Sequence, residues 1–594
     1  MINKKALVQL KPNIADLSDV RLFLLELKAL GVQPIEDIKP GEALSVIAAQ
    51  TSLDKTQLSL IEQEARHWPS RSGIIWGYKV IGSKEAIEQL AQRSAFVLRI
   101  FSYSEFADSA NKAKPAAYAI LEGASKIAKK RSGARALRIT CDEFYAFLTL
   151  QNANLLHFNE YMNIISTRPV GPLTHDIHYY KAKFFPRFSR ALLNALASKR
   201  PGATKVKVLD PFVGSGTTLL EAFLLDLESQ GIDIDPLSVL ISQAKIEFLN
   251  LTPNDLEQLI DAANWASSPL NQNRSQLNAA HSDIELPKWL IKNRKMTPSA
   301  ISALIEDIVF LRAFINSSPS ELRNFAKVFA SDAITRKVKM RILGTGSGRF
   351  SLEFAKRPIE EILLKSLTFY KEISKSVIWL KGVGLIPKKG PTANASLGDA
   401  RNLSLEEDVD AILTSPPYLP ASSGRESYAK HRALSLLAIN GQSVNDIDAL
   451  INQSIGGTTT PPDESGYFEH LFKSLSDAEK QIVLWLQKDP LRQPKAYAFA
   501  QYFYDIKKSL GAAFRALTTG GKAAFVIGKQ STFYEFSTKR PLLRVPLAEI
   551  FAESAEQIGF TVVDMIDIRL AKRTLNARPR SQDDYFETAI ILQK

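Results

Sequence analysis

One cysteine and seven histidines are spread through 594 residues. Cys141 therefore has no partner for an internal disulfide, and no Cys/His cluster has the spacing of a zinc site, so no metal is expected. An apolar context would make Cys141 a buried, inert thiol. No run approaches the roughly 20 apolar residues that a membrane span needs. The opening MINKKALVQLKPN lacks the apolar core of a signal peptide, which implies a cytoplasmic protein with no membrane partner. Internal repeats and long low-complexity tracts are missing too. So are GxGxxG and GxxxxGK[ST], which argues against NAD and ATP as ligands.

What is present is charge of one sign in excess: 75 Lys+Arg against 62 Asp+Glu, a net +13. A polyanionic partner fits that balance, because neutralising phosphates releases counterions. Hydrophobic content of 45% and charged content of 23% exclude a mostly disordered chain. At roughly 150 residues per domain the length predicts three to four folding units.

Residues 1–150 read as an N-terminal α/β domain open to nucleic-acid binding, with strand-like KALVQL, a helical Val20–Leu30 and a β-like GIIWGYKVIG. Residues 115–135 look helical, and the basic end at Lys129, Lys130 and Arg131 suits either the helix dipole or a phosphate. Over 165–245 the pattern becomes strand, glycine loop, helix, strand: the rhythm of a doubly wound sheet. Residues 246–391 interrupt it with a mostly helical block that carries KWLIKNRK and TRKVKMR. Over 392–594 the alternation resumes, broken at 419–500, and it ends on two strands, TVVDMIDIRL and FETAIILQ, read as an antiparallel hairpin at one edge.

Two constellations carry chemistry. Asp210-Pro-Phe-Val-Gly-Ser-Gly-Thr-Thr218 ends a strand, turns on Gly214 and Gly216, and starts a helix whose free amides and positive dipole end face a ligand. Asp233, 23 residues past Asp210, ends the next strand, where a carboxylate can grip ribose hydroxyls. Thr414-Ser-Pro-Pro-Tyr418 follows the strand Val409–Leu413. Its prolines fix φ and leave carbonyls without local donors, Ser415 adds a hydroxyl, and Tyr418 offers a face to stack on a base. Such a pocket of acceptors suits an exocyclic amino group.

In this order, DPFVGSGTT and TSPPY resemble the S-adenosylmethionine-dependent amino-methyltransferases that modify DNA at cytosine N4 or adenine N6. The resemblance covers about 165–245 and 392–594. It implies a Rossmann-like doubly wound sheet with a C-terminal antiparallel hairpin, a largely helical insertion and a separate N-terminal α/β domain. It implies S-adenosylmethionine as cofactor, held by Asp210, Pro211, Phe212, Gly214, Ser215, Gly216 and Thr217. His175-Asp-Ile-His-Tyr-Tyr-Lys-Ala-Lys-Phe-Phe-Pro186 resembles the segment covering the methionine end, which adds Lys183 and Phe184. Gly231-Ile-Asp-Ile-Asp-Pro236 resembles the ribose-binding strand end, with Asp233 as ligand. Leu397-Gly-Asp-Ala400 resembles the adenine loop, with Asp399 as acceptor beside Ala400. Ser415, Pro416, Pro417 and Tyr418 are then the catalytic residues.

The resemblance implies DNA as partner, with a cognate restriction endonuclease or other defence partner as a further expectation. Serine before the Pro-Pro favours cytosine N4; the order of the two motifs keeps adenine N6 open. A tRNA guanine-N2 methyltransferase is the RNA alternative, against which Ser415 counts, since those enzymes usually carry Asp there. A catalytically silent nucleic-acid-binding subunit is a third reading, disfavoured by the intact motifs. No Pro-Cys pair is present, so the thiol nucleophile of cytosine-C5 enzymes is missing. Leu343-Gly-Thr-Gly-Ser-Gly348 mimics a second cofactor loop but has no acidic strand end before it. Arg336, Lys337 and Lys339, just upstream, are candidates for backbone phosphates, and the useful part of the net charge is placed in these insertion clusters.

Overall fold

A computed structural model of the chain describes residues 3–14, 17–68, 75–103, 113–131, 138–151, 155–167, 171–180, 183–197, 205–268, 284–293, 295–342, 350–419, 428–439, 443–455, 466–493, 495–535, 537–538, 540–569 and 586–594. The glycine-rich turn 343–348 lies outside the described residues.

The first sheet is antiparallel. Its strands β1 (Lys4–Leu10), β2 (Gln33–Ile38), β3 (Gly77–Gly82), β4 (Val97–Ser102) and β5 (Ala113–Pro115) lie in the order β2-β3-β1-β4-β5. β1 takes the centre because Ala6–Leu10 is buried on both faces. Cys141 is half-buried at the first position of the helix Cys141–Leu148, not in the core, because the Thr140 cap fixes the helix start there.

The second sheet has seven strands. β6 (Lys207–Asp210) and β7 (Glu228–Asp233) come first; β8 (Val338–Ile342) and β9 (Phe350–Phe354) form a separate ribbon. β10 (Ala393–Leu397), β11 (Val409–Thr414) and β12 (Leu517–Gly528) continue the sheet, β13 (Ser531–Tyr534) and β14 (Pro541–Val545) pair apart, and β15 (Thr561–Arg569) and β16 (Phe586–Gln593) close it. The order is β10-β7-β6-β11-β12-β16-β15. From β10 to β12 all pairs are parallel, and β16 runs antiparallel between β12 and β15. This is the doubly wound, Rossmann-like arrangement with an antiparallel hairpin at one edge. Strand order reverses between β6 and β11, the point where a crevice opens at the strands' carboxyl ends. Both central runs are apolar because helices cover both faces; all six residues of β11 are buried.

Between β7 and β10 the helices Pro253–Ser267, Pro298–Ser317, Arg323–Lys337 and Ile359–Gly382 pack on one another. Thr252 and Thr297 cap the first two, each followed by proline at the first helical position.

A buried polar junction joins the two sheets. Glu122 accepts from Arg187 Nε and Nη2 and from Lys11 Nζ, each at 3.1 Å. Glu221, on the helix after the glycine turn, accepts from Tyr118 Oη (3.0 Å), Arg190 Nη1 (3.0 Å) and His175 Nε2 (2.8 Å). Arg190 also reaches back to the carbonyls of Gln92 and Arg93. Burial holds His175 down to about 4, so its neutral imidazole donates from Nε2. Among the described residues no helix is long and apolar enough to cross a membrane.

Candidate active site

The crevice at the β6/β11 switch point is a cleft of about 1200 Å³, its open mouth included. Its walls come from the ends of β6, β7, β10 and β11, from residues of the 171–186 segment, and from two helices of the 419–500 insertion, Tyr428–Ala438 and Val444–Gln453.

The glycine turn forms the floor. Gly214 and Gly216 have φ of +51° and +71°, where a side chain is strained. A Cβ on Gly216 would also sit 2.7 Å from Ser242 Cα, so the turn can pack on the helix Pro236–Glu247 only as glycine. Gly216 therefore shapes the loop from behind, whereas Asp210, Pro211, Phe212, Gly214, Ser215 and Thr217 line the cleft. Asp210 accepts from Thr414 Oγ1 at 2.6 Å, a bond that ties the cofactor-side turn to the start of TSPPY. Burial raises the Asp210 carboxyl to about 6.

Asp233 lines the next wall. Its two oxygens each accept one backbone N–H, from Gly214 at 2.9 Å and from Asp235 at 3.0 Å, leaving lone pairs for a ligand. Burial and the neighbouring Asp235 charge raise it to about 6, partly offset by Arg432. Asp399 and Ala400 line the opposite wall. Burial would raise Asp399, but hydrogen bonds from Arg401 outweigh it and hold the carboxyl below its ordinary value. Lys183 and Phe184 lie at the rim, with Lys183 bonded to Asp176 and to the His175 carbonyl.

Ser415, Pro416, Pro417 and Tyr418 all line the cleft. Tyr502 donates to the Pro417 carbonyl at 3.0 Å, and Tyr418 Oη donates to Glu587 on β16 at 2.7 Å, which fixes the ring. Arg336, Lys337 and Lys339 are elsewhere. They sit where the helix Arg323–Lys337 passes into the β8–β9 ribbon; Arg336 pairs with Asp332, Lys337 donates to the Arg357 carbonyl, and Lys339 is exposed opposite Glu353. Sequence reasoning missed Arg401, Arg432, Tyr502 and Glu587. The first follows LGDA directly, a positional signal; Arg432 lies in the 419–500 insertion, Tyr502 on the helix Lys495–Ala516 and Glu587 on a distant strand, and none of the three carries a motif.

The donor set fits S-adenosylmethionine: carboxylates for ribose hydroxyls and an amino group, apolar walls at Phe184, Pro211 and Phe212 for a ring, and a backbone turn that admits close approach. Among the described residues no His/Cys/Asp/Glu group is arranged to hold a metal ion.

The chain is similar to type II methyltransferases. It is 24% identical over 391 residues to M.MvaI of Kocuria varians, covering 63% of this chain and 80% of that one. It is also 24% identical over 422 residues to M.AvaI of Nostoc sp., covering 66% and 80%. Identity to M.MjaII of Methanocaldococcus jannaschii reaches 40% over 85 residues, 14% of this chain and 15% of that one. No protein-family model matches. Among solved structures, the rRNA methyltransferase aviRa of Streptomyces viridochromogenes aligns over 70% of this chain and 89% of its own, with TM-score 0.26 at 10% identity. TrmN of Thermus thermophilus aligns over 92% and 98%, with TM-score 0.25 at 11% identity. At scores this low the fold assignment rests on the strand order alone.

Proposed function

We propose that this chain is an S-adenosylmethionine-dependent DNA methyltransferase acting on an exocyclic amino group, cytosine N4 in the first instance. The observation that carries the reading is the hydrogen bond between Asp210 and Thr414, which sets the glycine-turn cradle and the Ser-Pro-Pro-Tyr loop side by side in one cleft. The type II naming of relatives aligned over four-fifths of their length supports DNA over tRNA. Ser415 before the prolines favours cytosine over adenine.

Bound in the cradle, S-adenosylmethionine supplies an electrophilic methyl on a positive sulfur. Asp233 would accept from its ribose hydroxyls, Asp399 from its adenine amino group, and the Gly214 turn would admit its methionine end. The Ser415 hydroxyl and the Pro416 carbonyl would accept from the target amine and stabilise the ammonium that develops on it. Tyr502 keeps the neighbouring Pro417 carbonyl occupied and the loop rigid. Tyr418 would stack on a base swung out of the duplex, since a paired amine is unreachable.

Tritiated cofactor incubated separately with plasmid DNA and with total tRNA tests the reading. Label is expected in DNA, and digestion to nucleosides is expected to give N4-methylcytosine. Label in tRNA, or in neither, would overturn it; N6-methyladenine would move the target to adenine.

Two further outcomes follow. Asp210 and Asp233 titrate near pH 6 in the free protein, and a ligand donating to them needs the ionised form. Cofactor affinity is therefore expected to be level above pH 7 and to fall as pH drops below about 6. Calorimetric titration from pH 5 to 8 checks this; a level affinity throughout would contradict it. Methylation of DNA should weaken with salt, and Lys339→Ala should reduce the slope of log affinity against log salt by about 1. An unchanged slope would remove Lys339 from the phosphate contacts.

A further inference from the structure

Two arginines outside the cofactor and target motifs hold the insertion onto the cleft. Arg432 belongs to the helix Tyr428–Ala438, on the chain segment that follows Tyr418. Its Nη1 donates to the Asp235 carboxylate and to Ser238 Oγ, the latter at 2.7 Å. Its guanidinium lies 4.9 Å from the centre of the Tyr180 ring, and Tyr180 Oη is 2.9 Å from the same Ser238 hydroxyl. Arg401 works on the opposite wall. It donates to Asp399, to Asp505 at 3.2 Å, and to the Gln453 carbonyl at 3.0 Å, at the carboxyl end of the helix Val444–Gln453. A guanidinium at a helix C-terminus is favourably placed for the dipole.

We infer that Arg432 is a positioning residue that locks this helix pair over the cofactor cleft through Asp235, so that cofactor binding and closure of the target-side insertion form one event. The inference rests on the methyltransferase reading of the cleft. One side of the lock is the strand end that carries Asp233; the other is the segment that continues from the Ser-Pro-Pro-Tyr loop. A cofactor gripping Asp233 therefore meets a wall whose position Arg432 sets.

The charges around Asp233 show what Arg432 does there. Asp235 stands two residues away, capping the helix that follows; from the 171–186 segment Tyr180 and Lys183 line the cleft, and His178 is buried against Ser331. His178 is held to about 4 by burial and is neutral, and Lys183 is engaged by Asp176. Asp399 and Arg401 pair on the far wall. Arg432 is thus the cation that offsets the Asp233–Asp235 pair. A lysine keeps that charge, but it has no planar fork to stack on Tyr180.

The test uses the full chain and S-adenosylhomocysteine as probe, with calorimetry from pH 5 to 8 and amide hydrogen exchange of the helices Tyr428–Ala438 and Val444–Gln453. Wild type is expected to bind and to slow exchange in both helices. Arg432→Gln is expected to bind about tenfold more weakly at pH 7, to lose the ligand-induced protection, and to show its acid limb at higher pH. Arg432→Lys, which keeps the fold's charge balance, is expected to leave the acid limb in place while protection of Tyr428–Ala438 falls. Wild-type binding together with unchanged affinity and unchanged protection in either variant overturns the inference and leaves the function intact. Failure of wild type to bind overturns the function, and the inference falls with it.

Discussion

Replacing Ser415 and Tyr418 together by alanine is expected to slow methyl transfer to DNA by about 10²–10³-fold, with cofactor affinity nearly unchanged. In the proposed reaction the Ser415 hydroxyl would be one of the two acceptors aimed at the amine, and the transition state would place positive charge on that nitrogen. Acceptors fixed in advance gain most there because they need not reorganise. On the same proposal the Tyr418 ring would add a stacking surface for the extruded base, worth about 1–3 kcal/mol. Its tether to Glu587 makes that surface rigid, so alanine removes a placed group and not a mobile one. Asp210, Asp233 and Asp399 are held by Thr414, by the Gly214 and Asp235 amides and by Arg401, none of which is changed, so the cradle is expected to survive. Single-turnover transfer of tritiated methyl to plasmid DNA, beside a cofactor titration, gives the split. A double variant as fast as wild type would sink the assignment of these residues.

The second large effect is on stability. Glu221→Ala is expected to destabilise the chain by about 3–5 kcal/mol, because Arg190 would be left as a buried charge without its carboxylate. Tyr118 and His175 lose their acceptor in the same step. Burial alone would raise the Glu221 carboxyl; the hydrogen bond from His175 and the Arg190 charge outweigh it and hold it below its ordinary value. The contribution is therefore present above the ordinary carboxylate range and lost as pH falls through the lower folded value. Glu221→Gln retains a neutral acceptor and should fall between wild type and alanine. Thermal unfolding midpoints of the three chains decide the matter; an alanine midpoint within about one degree of wild type would contradict it.

Much of the sheet was legible because its central strands obey strong rules. VKVLD and DVDAILT are short apolar runs ended by glycine or proline, and buried parallel strands need such runs. β10 was not read as a strand: ANASL alternates, but it is five residues long with only alanines and one leucine on its apolar side and no β-branched or aromatic residue, and as an edge strand it leaves Leu397 63% exposed. The cleft's motif residues could be named because glycine and proline report backbone demands locally. Arg432 and Glu587 could not, since their partners Asp235 and Tyr418 lie far away in the sequence and a single charged residue says nothing about what it will face. Gly216 shows the reverse case. Its spacing marked it for the ligand, whereas its lack of a side chain serves the contact with Ser242.

The polar junction between the two sheets has a consequence for modularity. The Glu122–Arg187 pair and the Tyr118–Glu221 bond cross the boundary, Arg190 pairs with Glu221 on the catalytic side, and the four charged side chains are 0–5% exposed. A catalytic fragment cut free of the first 150 residues would keep the Arg190–Glu221 pair, but it would leave Arg187 without Glu122, Glu221 without the Tyr118 hydroxyl, and Arg190 without the Gln92 and Arg93 carbonyls. Exchange between homologues would have to carry both sides of the seam at once. The first sheet is thus bonded into the catalytic part of the chain through buried charge, and replacing it alone would leave that charge uncompensated.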